Sequence, residues 1–330
     1  MKPFIRLSDN ERCFLAATTL NASVSAKETA DRIGIREHKV RHIRDSLLKR
    51  GIITPLYLID TFSIGYTDFR LFLSDIAAPS KIRTAFEKLV LQHHQVYWAA
   101  RMSGAYQYAI TFLSKDPCEM IDFFAAVQPT PDGIYAHKTI SIAGDWTIFT
   151  QNYLAPEMRS RQSISMTTRQ RIASLEKRDE VILETMAQHP TANLAALARA
   201  SGMPSTTLGY RMDKLKEMKV VRGQIYLLNH QALGISVFRI MIVEKGLSGV
   251  ERDRLRKQIS SHPNVGALLI CTGGWDYEIR FECSHPETVE DFCQAIIDDF
   301  GSGIGSIRVS QQVKSLKRVA YPCHQEARGR

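Results

Sequence analysis

The sequence predicts an α+β chain in which two winged helix-turn-helix units alternate with two ferredoxin-like βαββαβ units. Three observations predict it. Residues 193–218 (NLAALARASGMPSTTLGYRMDKLKEM) hold two helical runs separated by a glycine turn. Residues 25–51 repeat that pattern, and after each copy the apolar period falls from the helical spacing to the alternation of a strand.

In the later copy Leu194, Leu197 and Ala198 form one apolar stripe, and Leu208, Met212 and Leu215 form a second that begins at Pro204 or Ser205. Asn193 can cap the first helix through its side-chain oxygen, Gly202 can take the left-handed conformation of a tight turn, and Pro204-Ser205 suits a first helical turn. In the earlier copy Ala30, Gly34, Val40 and Leu47 stand where Ala198, Gly202, Leu208 and Leu215 stand later, at a constant offset of 168 residues. Gly104 and Tyr108 in SGAYQYAITF match Gly273 and Tyr277 in TGGWDYEIRF at an offset of 169. One residue is therefore inserted between the two blocks, and the duplication spans nearly the full length.

The elements follow in order. Ser8 or Asp9 caps a helix to about Leu20 that buries Phe14, Leu15 and Thr18, and Ser25 with Glu28 spells a capping box. A helix over 36–50 buries Val40, Ile43 and Leu47; at roughly 100° per residue its opposite face presents His38, Lys39, Arg41, His42 and Asp45. Residues 52–60 (IITPLYLID) read as two short strands bent at Thr54-Pro55, the wing, and 220–229 (VVRGQIYLLN) as its longer counterpart turning at Arg222-Gly223. From Thr67, Phe69, Leu71 and Leu73 alternate with Arg70, Phe72 and Ser74 as a strand. A helix over 80–93, strands over 96–102 and 106–113, a helix over 118–127 and a strand over 134–142 complete βαββαβ. The second copy repeats it: strand 237–243, helix 247–262, strands 265–272 and 277–283, helix 286–300 and strand 304–313.

These limits give a winged helix-turn-helix unit at 1–60, a ferredoxin-like unit at 61–150, and their repeats at 172–230 and 231–322. Residues 151–171, with Pro156, Arg159, Arg161, Arg169 and Arg171, read as a linker that can turn helical towards its end and can touch phosphate. The tail at 323–330 is expected to be disordered.

Composition narrows the function classes. The 330 residues carry a formal charge of +9, which suits an anionic partner, nucleic acid ahead of an acidic membrane surface. The six cysteines, Cys13, Cys118, Cys271, Cys283, Cys293 and Cys323, form no CxxC pair and no zinc spacing, so buried or free thiols in a reducing compartment are expected, with neither metal nor cofactor. The N-terminus lacks an apolar signal region and no apolar run reaches bilayer length, so a cytoplasmic protein is expected, without a membrane partner. Ser/His/Asp, P-loop and metal constellations are absent, which points away from an enzyme.

The order of winged helix, hinge strand and βαββαβ, together with GMPSTTLGYRMDKLKE, Leu233-Gly234 after the wing, and TGGWDYEIRF, resembles the leucine-responsive (Lrp/AsnC) transcription regulators. The chain resembles two such regulators fused. The resemblance implies that the ferredoxin-like halves are effector-binding RAM domains, that the partner is double-stranded DNA, and that an amino acid or similar metabolite binds where RAM domains meet. It also implies that the two RAM domains pair as an intramolecular pseudo-dimer, open to further assembly into homo-oligomers. Two unlike helices would then face successive major grooves, about 34 Å apart, on an asymmetric site.

For the first helix the candidate DNA contacts are Arg36, His38, Lys39, Arg41 and His42, which can pair with phosphate or with guanine O6/N7. For the second they are Ser205, Thr206, Thr207, Tyr210 and Lys214, with Arg211 placed for phosphate and Arg222 at the wing turn. Gly209 in mid-helix either permits close approach to DNA or marks a head that no longer binds tightly. The candidate ligand residues are Gly104 and Tyr106 in copy one and Gly273, Gly274, Trp275, Asp276 and Tyr277 in copy two. There glycine backbone approaches the ligand, the rings form walls and Asp276 receives an ammonium group; alternatively Gly-Gly only turns the strand and Asp276 only caps it. Copy one has Gln107 in place of the aspartate.

Two other classes compete. Sirohaem decarboxylases share this two-part architecture, but their His-Asn-Tyr motif is missing from HHQVYWAARMSGAY and HPNVGALLICTGGW, although His93, His94, Tyr97 and His262 are present. An interaction protein using degenerate winged helices for assembly would bind without dependence on phosphate.

Overall fold

The computed structural model describes residues 4–74, 78–127, 135, 137–158 and 161–322. Arg159, Cys323, the expected strand start at Ile134 and the tail lie outside them.

The first unit has helices α1 (Asp9–Thr18), α2 (Ala26–Ile33) and α3 (Glu37–Lys49), followed by strand β1 (Ile53–Ile59). Ser8 and Glu11 form a reciprocal capping box at the start of α1, whereas at α2 Ser25 only accepts from the Glu28 amide. Gly34 ends α2 with φ 71°, so the chain can turn sharply into α3. The following βαββαβ runs β2 (Thr67–Ser74), α4 (Ser80–Gln92), β3 (Val96–Gly104), β4 (Tyr108–Ser114), α5 (Cys118–Val127) and β5 (His137–Phe149). After β6 (Ser163–Thr167) the order repeats: α6 (Lys177–Gln188), α7 (Leu194–Ser201), α8 (Ser205–Glu217) and β7 (Val221–Leu228), then β8 (Ser236–Glu244), α9 (Gly249–Ser261), β9 (Val265–Gly273), β10 (Tyr277–Cys283), α10 (Glu287–Phe300) and β11 (Ile304–Arg318).

The expected wings are not hairpins. Each is a single strand, and β1 of the first copy pairs antiparallel with β7 of the second, from Ile53 opposite Leu228 to Ile59 opposite Val221. The residue that copy two carries in excess appears here as a bulge: Leu58 faces Gly223 and Ile59 faces Val221, leaving Arg222 unopposed. Both helical units build their cores on this shared ribbon. Tyr226 of β7 packs with Phe14 and Leu47 of the first unit, and Leu56 and Leu58 of β1 pack with Leu183 and Leu208 of the second. Backbone bonds from Tyr226 to the Thr19 carbonyl (2.9 Å) and from Ala22 to the Gln224 carbonyl (2.7 Å) fasten the first unit to the second copy's strand.

The strands of the two βαββαβ units also join. They run β2-β4-β3-β11-β8-β10-β9-β5, and β5 returns to β2, so the eight close into an antiparallel ring with β6 added outside β5. The last strand of each copy is longer than expected because it serves two partners. The first part of β5 pairs with β2 and its second part with β9 of the other copy. Likewise β11 pairs first with β8 and then with β3. Closure leaves these strands no edge. The expected linker contributes β6 and is held further by Gln170 on Asp60 and by Arg161 on the carbonyls of His262 and Val265; its end, residues 168–171, is irregular rather than helical.

Alternation then decides the cores. Phe69, Leu71, Phe86, Tyr108 and Phe112 pack between one sheet half and its helices, and Ile240, Ile242, Leu255, Phe281 and Phe292 do the same in the other. The opposite strand faces point into the ring. Arg70, expected on a polar face, is buried there, where its Nε donates to Glu278 Oε2 of the other copy at 2.8 Å and its Nη2 donates to Oε1. Removing one partner of such a buried pair strands the other charge. Glu278→Leu is therefore expected to destabilise the chain by about 3–5 kcal/mol, and the double variant Arg70→Met/Glu278→Leu by much less, as measured by urea unfolding of these two, of Arg70→Met and of the parent protein.

Candidate nucleic-acid interface and ligand turns

The first unit presents a cationic helix. Val40, Ile43 and Leu47 anchor α3 inward, which leaves Arg36, His38, Lys39, Arg41 and His42 exposed. Arg41 leans on Glu37 one turn back, an exposed pair that a phosphate can replace at little cost. At the far end of the helix Arg50 is tied to Glu11, which also caps α1, so α3 is braced against the first helix.

The second unit presents a different surface. Leu208 and Leu215 anchor α8; Ser205, Thr206 and Lys214 are exposed, Thr207 is half-buried, and Tyr210 stands 71 % exposed. Arg211 is not free for phosphate. Its guanidinium turns inward, donating to Asp179 Oδ1 at 2.9 Å and Glu176 Oε2 at 2.6 Å, and so ties α8 to the start of α6. Arg222 sits in the ribbon bulge instead of a wing tip and donates to the Ser165 carbonyl of β6 at 3.1 Å. The first helix thus offers charge, and the second offers hydroxyls and one large exposed ring.

The ligand candidates meet differently from expectation. Gly104 has φ 100° and Gly273 φ 123°, and both lie against the other copy. A Cβ on Gly104 would meet the Val309 carbonyl at 2.8 Å, and one on Gly273 would meet the Ile140 carbonyl at 2.6 Å. Gly274 donates to the Ile140 carbonyl (3.0 Å), and a Cβ there would lie 2.2 Å from Thr139. Close approach is needed, but by the partner strand. The amides of Tyr106 and Trp275 make matching bonds, to Ser310 Oγ and Ser141 Oγ, each at 3.1 Å. Trp275 is 1 % exposed and edge-on to Phe72 at 4.9 Å, and Tyr106 packs on the same ring. Asp276 accepts from the Glu244 amide at the end of β8 at 2.8 Å, a bond to the neighbouring strand rather than a cap on its own turn, and the Tyr277 hydroxyl donates to Glu244 at 2.9 Å. Gly104, Tyr106, Gly273, Gly274 and Trp275 build the joint between the copies, while Asp276 and Tyr277 bond within the second copy.

The polar interior of the ring lies elsewhere and was missed. Arg239 stands opposite Arg280 on neighbouring strands, and Arg318 pairs with Trp98 on the next seam. Both Arg239 and Arg318 are pushed below the usual guanidinium range, Arg239 to about 9, by burial and by the neighbouring guanidiniums, with Glu278 partly offsetting the effect at Arg239. Asp68 is pushed up to about 6 by burial, against the pull of Arg70. Glu282 runs the other way: burial would raise it, yet His230, Arg280 and the Tyr153 hydroxyl hold it at about 2. A cavity of about 610 Å³ opens beside this cluster, between the β1–β7 ribbon and the ring. The available signal was the repeat itself, since Arg70 and Arg239 share the 169-residue offset at the same strand position.

Comparison with known proteins defines the class. Residues 167–222 match the family described as winged helix-turn-helix DNA-binding. An uncharacterized HTH-type transcriptional regulator of Pyrococcus furiosus is 26% identical over 116 residues, 35% of this chain and 77% of that protein. The DNA-binding transcriptional activator DecR of Escherichia coli is 21% identical over 144 residues, 43% of this chain and 94% of that one. Among solved structures, the siroheme decarboxylase NirDL covers 97% of this chain, and 95% of its own, with a TM-score of 0.59 at 11% identity, a likeness of fold. The chain thus carries a winged helix-turn-helix match and is similar to HTH-type transcriptional regulators, and its helical unit with the βαββαβ that follows occurs twice. Among the described residues no helix is long and apolar enough to cross a membrane.

Gly209 lies within α8, and an added Cβ would touch only Leu194, at 3.7 Å. Gly209→Ala is expected to stabilise the second unit by about 1 kcal/mol, measured by thermal unfolding. Loss of DNA affinity in that stabilised variant would identify Gly209 as a point of close approach.

Proposed function

We infer that this protein is a DNA-binding transcriptional regulator of the Lrp/AsnC kind, in which two fused units act as a pseudo-dimer and respond to a small metabolite. The observation that carries this reading is the pair of solvent-facing helices, α3 and α8, whose units share one ribbon while their remaining faces are buried. A ribbon built from both copies supports a fixed relation between the two helices, which suits a single DNA site spanning successive grooves. Because α3 is cationic and α8 is hydroxyl-rich, the site is asymmetric: one half is held mainly by charge, the other by shorter polar and ring contacts. Pairing of pseudo-dimers into larger assemblies belongs to the same reading.

A second reading, a tetrapyrrole-processing enzyme like siroheme decarboxylase, is favoured by the likeness to NirDL along the whole chain. It lacks the histidine motif expected of that chemistry. Mixing the protein with an iron-uroporphyrin separates the two: a shifted and saturable absorbance band supports the enzyme reading, and an unchanged spectrum supports the regulator.

The direct test is a gel-shift titration on genomic fragments at several salt concentrations. Affinity should fall steeply with salt. Lys39→Ala and Arg41→Ala should each weaken binding by about 1 kcal/mol and flatten the salt dependence, whereas Tyr210→Ala should weaken binding without changing the slope. Binding that ignores salt and all three substitutions would leave an assembly role for the helices.

A further inference from the structure

The 610 Å³ cavity is within the range of small-molecule sites and is walled by three parts of the chain: the end of α1, strand β7 of the ribbon and the ring strands β8, β10 and β11. Its charged lining is one-sided. Arg239, Arg280, Arg318 and Lys314 reach it, and among the described residues no aspartate or glutamate lines it. Amides from Gln151, Gln311 and Gln312 add neutral polar groups, while Trp98, Ile148 and Ile225 supply apolar wall.

Two of these arginines, Arg239 and Arg318, are poorly satisfied by the protein itself, whereas Arg280 is held by Glu282 (Nε to Oε1, 2.8 Å) and donates to the Gly266 carbonyl at 3.0 Å. Arg239 is 5 % exposed, lies directly across the ladder from Arg280, and like charges so placed repel. Its nearest carboxylate contact is 3.7 Å, to Glu278, which is already engaged by Arg70, and the Nε groups of Arg239 and Arg318 are buried without a hydrogen-bond partner among the described residues. Copy one resolves the equivalent positions differently: Arg70 faces Thr111, and Phe149 stands in place of Arg318. The excess of buried donors therefore occurs on one side of the ring. Carboxylates match guanidinium forks in pairs, and arginines on separate strands suit acid groups spread over one carbon skeleton.

We propose that this cavity is the effector site of the protein and takes a small organic anion bearing two or more carboxylates, one molecule per chain. This deepens the regulator reading and rests on it for the word effector, but the binding site stands on its own geometry. Occupation would join α1, the ribbon and the ring through one ligand, so it would alter how the helical units sit on DNA.

The test uses the full chain and isothermal titration with citrate, and with inorganic phosphate as the second arm. Citrate should bind once per chain and raise the unfolding temperature. Arg239→Gln and Arg280→Thr, the latter placing the residue that copy one carries, should each weaken citrate at least about tenfold. Lys314→Gln, at the cavity rim, keeps the test available if either buried variant fails to fold. At saturating citrate the DNA affinity should change, and DNA should change citrate affinity by the same factor. No heat and no stabilisation with citrate, citrate binding unaltered in the variants, or phosphate binding in its place would overturn the site. Citrate binding with unchanged DNA affinity would overturn the effector role. Failure to bind any DNA while citrate still binds would overturn the regulator reading and leave the anion site standing.

Discussion

The structure depends on strand exchange between the two copies. Each βαββαβ unit ends in a strand too long for its own sheet, and the surplus of β5 and β11 has backbone donors and acceptors that must be paired. They find partners in β9 and β3 of the other copy, which closes the ring and encloses Arg70 against Glu278. The same logic governs the ribbon, where β1 and β7 would each be unpaired alone. Once both joints form, neither helical unit can move far without opening the other copy's backbone bonds.

Within this two-fold plan the copies have diverged in chemistry. The α3 face carries exposed cations; the α8 face carries Ser205, Thr206 and Tyr210, while Arg211 is spent on Glu176 and Asp179. Inside the ring, Arg70 is saturated by Glu278 and Thr111, whereas its counterpart Arg239 faces another arginine. A homodimer of identical subunits would have to place the same groups on both sides. Fusion lifts that restriction, so one chain can hold two unlike helices outside and one lopsided cluster inside.

Much of this was legible from local pattern. The constant offsets located both units, Gly34 and Gly202 marked both helical turns, and the extra residue surfaced as the bulge at Arg222. What was not legible is non-local. Residues 52–60 bent at Thr54-Pro55 look like a hairpin because a strand's partner is not written in its own residues, and here the partner is β7 of the other copy. Arg70 alternates with Phe69 and Leu71 as a residue on a solvated face would, and that inference fails when the sheet closes on itself. Gly273-Gly274 signals close approach without saying by what; the answer is Ile140. Arg211 falls at the flank of its helix, and only the tertiary position of Glu176 and Asp179 turns it inward.

Native-state hydrogen exchange tests the central claim, that the copies form one closed body, most directly. Amides in the exchanged ladders β5–β9 and β11–β3 should exchange only through the same high-energy opening as those in β2–β4 and β8–β10 within each copy. Rapid, low-energy exchange confined to the two seams, with the ladders inside each copy still protected, would contradict it and leave two units merely tethered.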